Sequence, residues 1–275
     1  MCLRIKELLT QSAELLREVT DIPQKEAMIL LGDVLGCEIS WLIAHSDDEL
    51  SANERFSELL KRRANHEPLE YILGRAAFYG RDFDVDARVL IPRPETEILV
   101  DKVLELAHAL PEEAHIVEIG CGSGIISIML ALLLPNARFT AVDISHEALH
   151  VSKLNALKHG VSEKITFIES SYLDGVSGEI DMIVSNPPYI ANEEPLGIGL
   201  SYEPSLALYG GRRGDEMLCH IIDLFESRGV KALACEMGYD QRKPILEYTT
   251  SKGFEVEFYK DLAGLDRGFW IKEKR

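Results

Sequence analysis

The sequence predicts an α/β protein: a mostly parallel sheet with helices on both faces and a C-terminal antiparallel hairpin, preceded by a small N-terminal helical domain. Three observations carry this prediction. From Pro94 onward short apolar strand-like runs alternate with helical runs, residues 3–65 show helical spacing only, and a glycine-rich turn leads from a strand directly into an apolar helix. Such alternation is the pattern of parallel strands joined by helical crossovers. The expected division is a helical domain over residues 1–72, a connector with a β-hairpin over 73–93, and the α/β domain over 94–275.

Taken in order, Leu8, Leu15 and Val19, then Ala27, Leu30, Leu31 and Leu35, then Phe56, Leu59 and Leu60 recur at helical intervals of three and four. Pro23 opens one of these helices and Gly36 follows its end. Residues 67–75 read as a connector. The alternating stretch 78–91 reads as a strand or hairpin, with Phe83 and Val85 on one face and Asp82, Asp84 and Asp86 on the other. The aspartates do not complete a calcium loop, because Ala87 stands where that loop needs glycine and Arg93 where it ends in glutamate. Strands are then expected at 115–119, 138–142, 164–168, 180–185 and 232–236, with helices at 123–134, 146–159 and 215–227. Two last strand-like runs, 254–259 and 267–272, flank a short glycine-containing loop and predict an antiparallel hairpin.

Composition narrows the function. The longest apolar run, residues 125–134, is too short for the roughly 20 residues that cross a bilayer, and the N-terminus reads as an amphipathic helix, so neither a membrane span nor export is expected. Five scattered cysteines (Cys2, Cys37, Cys121, Cys219, Cys235) show no C-x-x-C spacing and fit free thiols in a reducing cytoplasm. With 46 acidic and 29 basic side chains the formal charge is −17, which disfavours nucleic acid and favours a basic protein or a small molecule as partner.

The glycine-rich turn is E-I-G-C-G-S-G, from Glu118 to Gly124. Glycines allow positive φ and let a ligand approach the helix N-terminus closely. Its G-x-G-x-G spacing is tighter than the dinucleotide fingerprint, and the Lys-Ser/Thr pair of a phosphate-binding loop is missing. Asp143, ending the next strand in A-V-D-I-S, can accept both hydroxyls of a ribose. Further on, V-S-N-P-P-Y-I (Val184 to Ile190) ends an apolar strand, and its two prolines hold the backbone rigidly. A conjugated nitrogen is a poor nucleophile. If the Asn186 side-chain oxygen and the Pro187 carbonyl each accept one N–H, the lone pair can be aimed without an obligatory metal or strong base, while Tyr189 offers an aromatic face to a planar group.

These segments resemble the first two motifs and the NPPY motif of class I methyltransferases, which implies a Rossmann-like fold that binds S-adenosylmethionine and releases S-adenosylhomocysteine. The resemblance makes residues 94–275 the catalytic domain and implies a cofactor-binding set of Glu118, Gly120, Cys121, Gly122, Ser123, Gly124, Asp143, Ser171, Tyr172 and Asn186. Ser171 departs from the acid common at its position, and Tyr172 can still stack on adenine. Asn186, Pro187, Pro188 and Tyr189 form the implied substrate site, with Asn186, Pro187 and Tyr189 as catalytic residues and no metal. NPPY alone does not choose between an adenine amino group and a glutamine side chain. E-P-L-E-Y-I-L-G from Glu67, L-I-P-R-P-E-T-E from Leu90, Y-E-P-S-L-A-L from Tyr202, E-M-G from Glu236 and K-D-L-A-G-L-D-R from Lys260 are more specific. They resemble the release-factor glutamine methyltransferases. The implied substrate is the glutamine of the Gly-Gly-Gln loop of peptide chain release factors, gripped with help from the helical domain. Arg93, Glu95 and Glu236 stand open between functional and structural roles.

Two short matches point elsewhere. His146 to His150 fits the H-E-x-x-H zinc-protease pattern, but that helix starts just after the ribose acid and Lys153 lies one turn beyond His150. Arg213-Gly214-Asp215 reads as a helix start. An adenine amino-methyltransferase acting on nucleic acid and a noncatalytic binding module on the same fold are the competing functions. The charge and the extent of the resemblance count against the first, and the intact glycine loop, Asp143 and Asn186 against the second.

Overall fold

A computed structural model of the chain describes residues 2–273; residues 1, 274 and 275, the outer ends of the expected first and last domains, lie outside the described residues. The chain forms two compact units, one of residues up to 75 together with Gly197–Tyr202, the other of Ala76–Leu196 together with residues from 203 on.

In the first unit, β1 (Cys2–Arg4), α1 (Ile5–Leu16), α2 (Pro23–Leu35), α3 (Ile39–Ala44), β2 (Glu49–Ser51), α4 (Glu54–Ala64) and α5 (Leu69–Leu73) follow one another, with β1 and β2 antiparallel. Ala27, Leu30 and Leu31 of α2 meet Phe56, Leu59 and Leu60 of α4 in one core, as their spacing requires. On α1 the buried stripe is Ile5, Leu9, Ser12 and Leu16, whereas Leu15, expected inside, is 63% exposed. The stripe that closes on itself at four, seven and eleven residues is set by Ile5, one turn ahead of the expected Leu8. Gly36 ends α2 at φ 66°, and Pro23 stands at its first turn. The stretch expected as a plain connector contains α5. Tyr202 Oη donates to the Asn65 carbonyl at 2.8 Å, holding Gly197–Tyr202 to this unit.

From Ala76 on, the second unit comprises the rest of β3 (Arg75–Phe78), then β4 (Arg81–Asp84), α6 (Thr96–Ala107), β5 (His115–Ile119), α7 (Ile125–Leu133), β6 (Arg138–Asp143), α8 (His146–Lys158), β7 (Ile165–Glu169), β8 (Met182–Ser185), β9 (Ile190–Ala191), β10 (Tyr209–Gly211), α9 (Glu216–Ser227), β11 (Ala232–Glu236), α10 (Arg242–Ser251), β12 (Val256–Lys260) and β13 (Asp266–Lys272). Stretch 78–91 is therefore not one strand. Phe78 ends β3, and Tyr79 and Gly80 turn the chain with φ of 52° and 71°, as a two-residue type I′ hairpin demands. Phe78 and Phe83 of this hairpin belong to the core of the second unit. The expected strand at 164–168 begins one residue later, after a 3₁₀ turn over Ser162–Lys164, and that at 254–259 begins at Val256. Helices α6 and α10 and the short β9–β10 pair join the elements expected from the sequence.

Seven strands form the main sheet in the order β12-β13-β11-β8-β5-β6-β7, with β13 antiparallel to both neighbours and the remaining pairs parallel. Strand alternation feeds two cores. Ile116, Met182, Val184, Ala232 and Ala234 face the α6, α7 and α8 side, while Val117, Ile183, Leu233 and Cys235 face α9 and α10. Burial on both faces explains why these strands are continuously apolar. From β5 the order runs outward through β6 to β7 and returns on the opposite side at β8, so the carboxyl ends of β5 and β8 flank the switch point where open α/β sheets bind ligands.

Candidate active site

Loops leaving β5, β6 and β8 converge on a cavity of about 190 Å³ within the second unit. Gly120, Gly122 and Gly124 adopt φ of 73°, 54° and 82°. The amides of Gly120 and Cys121 donate to the Val142 carbonyl at 2.8 and 3.0 Å, tying the loop to β6. Asp143 takes one backbone donor on each oxygen, Gly122 N and Ser145 N, both at 2.9 Å. Each oxygen keeps lone-pair capacity for a ligand hydroxyl. Burial pushes the Asp143 carboxyl up, and these amides oppose the shift.

Glu118 is buried beneath the loop and accepts from the Ser127 amide at 2.9 Å and from the Ser127 hydroxyl. Desolvation pushes its carboxyl to about 8 against those bonds. The Cys121 thiol is buried beside Ser152, and burial raises it well above the usual thiol range. Ser123 is held by its carbonyl, which accepts from Asn155 Nδ2 at 2.9 Å. The same fully buried Asn155 donates to the Asp84 carbonyl at 3.0 Å and accepts the Asp84 amide at 2.8 Å, joining the hairpin to the glycine loop. Beyond β7, Tyr172 sits at φ 52° with its ring 4.3 Å from His220, edge to face.

After β8, Ser185 Oγ donates to the Ile119 carbonyl at 2.6 Å and fixes the strand end beside the glycine loop. Asn186 Nδ2 donates to Thr96 Oγ1 at 3.1 Å, and Thr96 Oγ1 donates to Glu236 Oε2 at 2.7 Å. Tyr189 Oη donates to the other Glu236 oxygen at 3.5 Å. Gln241 Nε2 donates to the Tyr189 carbonyl at 3.0 Å, while Gly210 and Gly214 lie so close to the Pro188 and Tyr189 carbonyls that a Cβ on either would overlap them. The N-P-P-Y backbone is thus clamped from both sides. Across the cavity, Glu203 accepts the Ile91 amide at 2.9 Å and pairs with Arg93, shaping the wall around residues 88–93.

The cavity wall brings together Glu118, Gly120, Cys121, Gly122, Ser123, Asp143, Ser171, Tyr172, Asn186, Pro187 and Pro188. Gly124 and Tyr189 are not on it. A Cβ on Gly124 would overlap Ser152 Oγ, so this glycine lets α7 and α8 approach. Tyr189 turns its hydroxyl toward Glu236, and burial pushes the phenol up to about 12. Thr96, Asn155, Glu203 and Gln241 escaped the sequence reading as site residues, because their partners are distant in the chain and mostly backbone. Arg93 stood open there, and it anchors the wall through Glu203.

The other motifs resolve into side-chain pairs. Asp84 forms an ion pair with Lys158 at 2.6 Å and Asp86 with Arg88 at 2.6 Å, and the exposed His146 Nδ1 lies at hydrogen-bond distance, 2.8 Å, from Glu169 Oε2. Among the described residues no helix is long and apolar enough to cross a membrane.

Residues 7–74 match the PrmC N-terminal domain and residues 95–197 the methyltransferase small domain. A protein of Rickettsia conorii named bifunctional methyltransferase is 35% identical over 96% of this chain; the chain spans 56% of that relative's length. Among solved structures, the N-terminal domain of human METTL16 in complex with SAH superposes with a TM-score of 0.52 at 18% identity, covering 69% of this chain and 75% of that one. That likeness concerns the fold, which is the class I methyltransferase fold, and a methyltransferase domain in this fold points to a cofactor of the S-adenosylmethionine type. The release factor glutamine methyltransferase of Chlorobaculum tepidum is 38% identical over 265 residues, covering 90% of each chain. With this identity along nearly its whole length, the chain belongs to the release factor glutamine methyltransferase family.

Proposed function

We propose that the chain transfers a methyl group from S-adenosylmethionine to the side-chain amide nitrogen of the glutamine in the Gly-Gly-Gln loop of a cytoplasmic peptide chain release factor. The observation that carries this reading is the Asn186 carboxamide on the cavity wall, with its NH2 turned to Thr96 and its oxygen left to accept an N–H beside the glycine loop.

The residues fit the cofactor. A Cβ-free loop backbone at Gly120 and Gly122 and spare lone pairs on Asp143 suit a methionine moiety and a ribose, and Tyr172 lies on the same wall for a flat base. When bound, the cofactor supplies a methyl carbon on a sulfonium leaving group. Asn186 Oδ1 and the Pro187 carbonyl each accept one amide N–H of the substrate, which turns the nitrogen lone pair toward that carbon. Transfer would form the N–C bond as the sulfonium S–C bond broke, and the nitrogen would then give one proton to water. Holding the amide in line lowers the barrier by orientation, because Asn186 has no useful proton affinity near neutral pH. The helical unit fits a role in gripping the protein substrate.

Mass spectrometry of a purified release factor incubated with the enzyme and methyl-labelled cofactor tests the proposal. Label on the Gly-Gly-Gln glutamine is the expected result. Label on adenine of a nucleic acid, with none on the release factor, replaces this reading with the amino-methyltransferase one.

A further inference from the structure

We infer that Thr96 and Glu236 are positioning residues that decide which end of the Asn186 carboxamide faces the acceptor. The inference deepens the proposed function, and its kinetic test rests on that reading. The oxygen and the NH2 of a carboxamide have nearly the same size, so packing cannot choose between the two orientations of Asn186. Hydrogen-bond direction can.

Thr96 and Glu236 are each 1% exposed, so water does not supply alternative partners. An ionised carboxylate accepts only, and a hydroxyl has one proton to give. Thr96 gives that proton to Glu236 Oε2, which leaves Thr96 Oγ1 able to accept but not to donate. The group it accepts from is Asn186 Nδ2. With the amide reversed, Oδ1 would oppose the Thr96 oxygen, acceptor against acceptor, and a buried amide left without its bond costs about 1–3 kcal/mol. One carboxylate, three hydrogen bonds away from the reacting nitrogen, thereby turns Oδ1 toward the acceptor.

Protonation of Glu236 would reverse the chain. Its O–H would donate to Thr96, Thr96 would donate to Asn186 Oδ1, and the Asn186 NH2 would confront the N–H donors of the substrate. Burial pushes Glu236 up to about 7, aided by Glu95 at the start of α6 and opposed by the Thr96 bond, by Arg267 on β13 and by the Tyr189 hydroxyl. Tyr259 of β12, also facing this carboxyl, is held neutral by its own burial.

Three variants test the inference: Thr96→Val, which keeps the shape but can neither accept nor donate; Thr96→Ser, which restores the hydroxyl; and Glu236→Gln, which can donate to Thr96. Thr96→Val should lose about 10²-fold in kcat, the scale of a misoriented reactant, with cofactor affinity unchanged, and Thr96→Ser should stay within about threefold of the parent. For the parent, kcat should fall as pH drops through about 7, and Glu236→Gln should be slow at every pH and lack this limb. A Thr96→Val enzyme with parental kcat, a Thr96→Ser enzyme as slow as Thr96→Val, or a Glu236→Gln enzyme that keeps the acid limb overturns the inference. If the parent does not methylate release factor, the proposed function fails by itself. NMR of the Asn186 side-chain amide, assigned by its loss in Asn186→Ala, then decides the inference without turnover. Its resonances should move in Thr96→Val and Glu236→Gln but not in Thr96→Ser, and unmoved resonances in the first two overturn it.

Discussion

Asp143 does two things with one carboxylate. One oxygen orders the glycine loop through Gly122 N and the other the start of α8 through Ser145 N, and both keep lone-pair capacity beside the cavity. Asp143→Ala should therefore weaken cofactor binding by about 1–3 kcal/mol, and calorimetry showing an unchanged Kd would remove it from the site. Asn186→Ala should instead lose turnover far more than cofactor affinity, since orientation matters chiefly in the transition state; steady-state kinetics on a release factor with near-parental kcat would show that the segment only ends a strand. Glu118 yields a prediction about stability. Its carboxyl lies at about 8 in the folded protein against 4.5 as a free side chain, so between those values the folded state binds more protons than the unfolded one. Stability should then fall as pH rises through that window, by up to about 1.4 kcal/mol per unit. Glu118→Gln keeps an acceptor for Ser127 and should flatten the slope, measured as the urea midpoint at the two ends of the window. Glu118 and Asp143 could be singled out in the sequence because they stand at or one residue before a strand end, beside glycine-rich or turn residues.

At the scale of elements, α8 shows why part of the site was hidden. Asn155 binds Asp84, 71 residues earlier, and Ser123, 32 residues earlier, through backbone groups that carry no sequence signal. Neither hydrophobic periodicity nor a motif could single it out. By contrast Phe83 and Val85 were readable as inward-facing because strand alternation is local, and both are buried. The sequence predicts a hairpin within residues 73–93 but places its first strand three residues late, because a turn at Tyr79 and Gly80 needs positive φ at a tyrosine, a conformation that composition does not advertise. On α1, two adjacent leucines, Leu15 and Leu16, offered two possible stripes, and only packing against α2 and α4 chose Leu16. Asn155→Ala should destabilise the protein by about 1–3 kcal/mol through the stranded Asp84 and Ser123 backbone groups. Because the glycine loop loses its tether, it should weaken cofactor binding as well. Denaturant unfolding and calorimetry on one preparation check both, and a loss of stability with parental affinity would confine Asn155 to a packing role.

At the scale of the molecule, the mostly parallel sheet could be anticipated because strand and helix alternate with short connections, whereas the strand order is read from the structure. The site then falls at the switch between β5 and β8, where three loops meet although their residues are far apart in sequence. What the sequence alone could not supply is the hydrogen-bond chain that links α6, the N-P-P-Y segment and β11, since it exists only once those elements are side by side. Charge is the other property of the whole. A formal charge of −17 weighs against the counterion release that drives nucleic-acid binding and suits attraction to a basic protein partner. Such attraction is screened over about 10 Å at 0.1 M salt. Raising salt from about 0.05 to about 0.5 M should therefore raise KM for a basic release factor and leave kcat little changed, because the charges steer encounter rather than orient the amide. Duplex DNA added to the same assay should not compete at any of these salt concentrations. A KM that falls with salt would mean that like charges oppose docking, and competition by DNA that weakens with salt would reveal a cationic surface that the net charge conceals; either result would overturn the charge argument for a protein substrate.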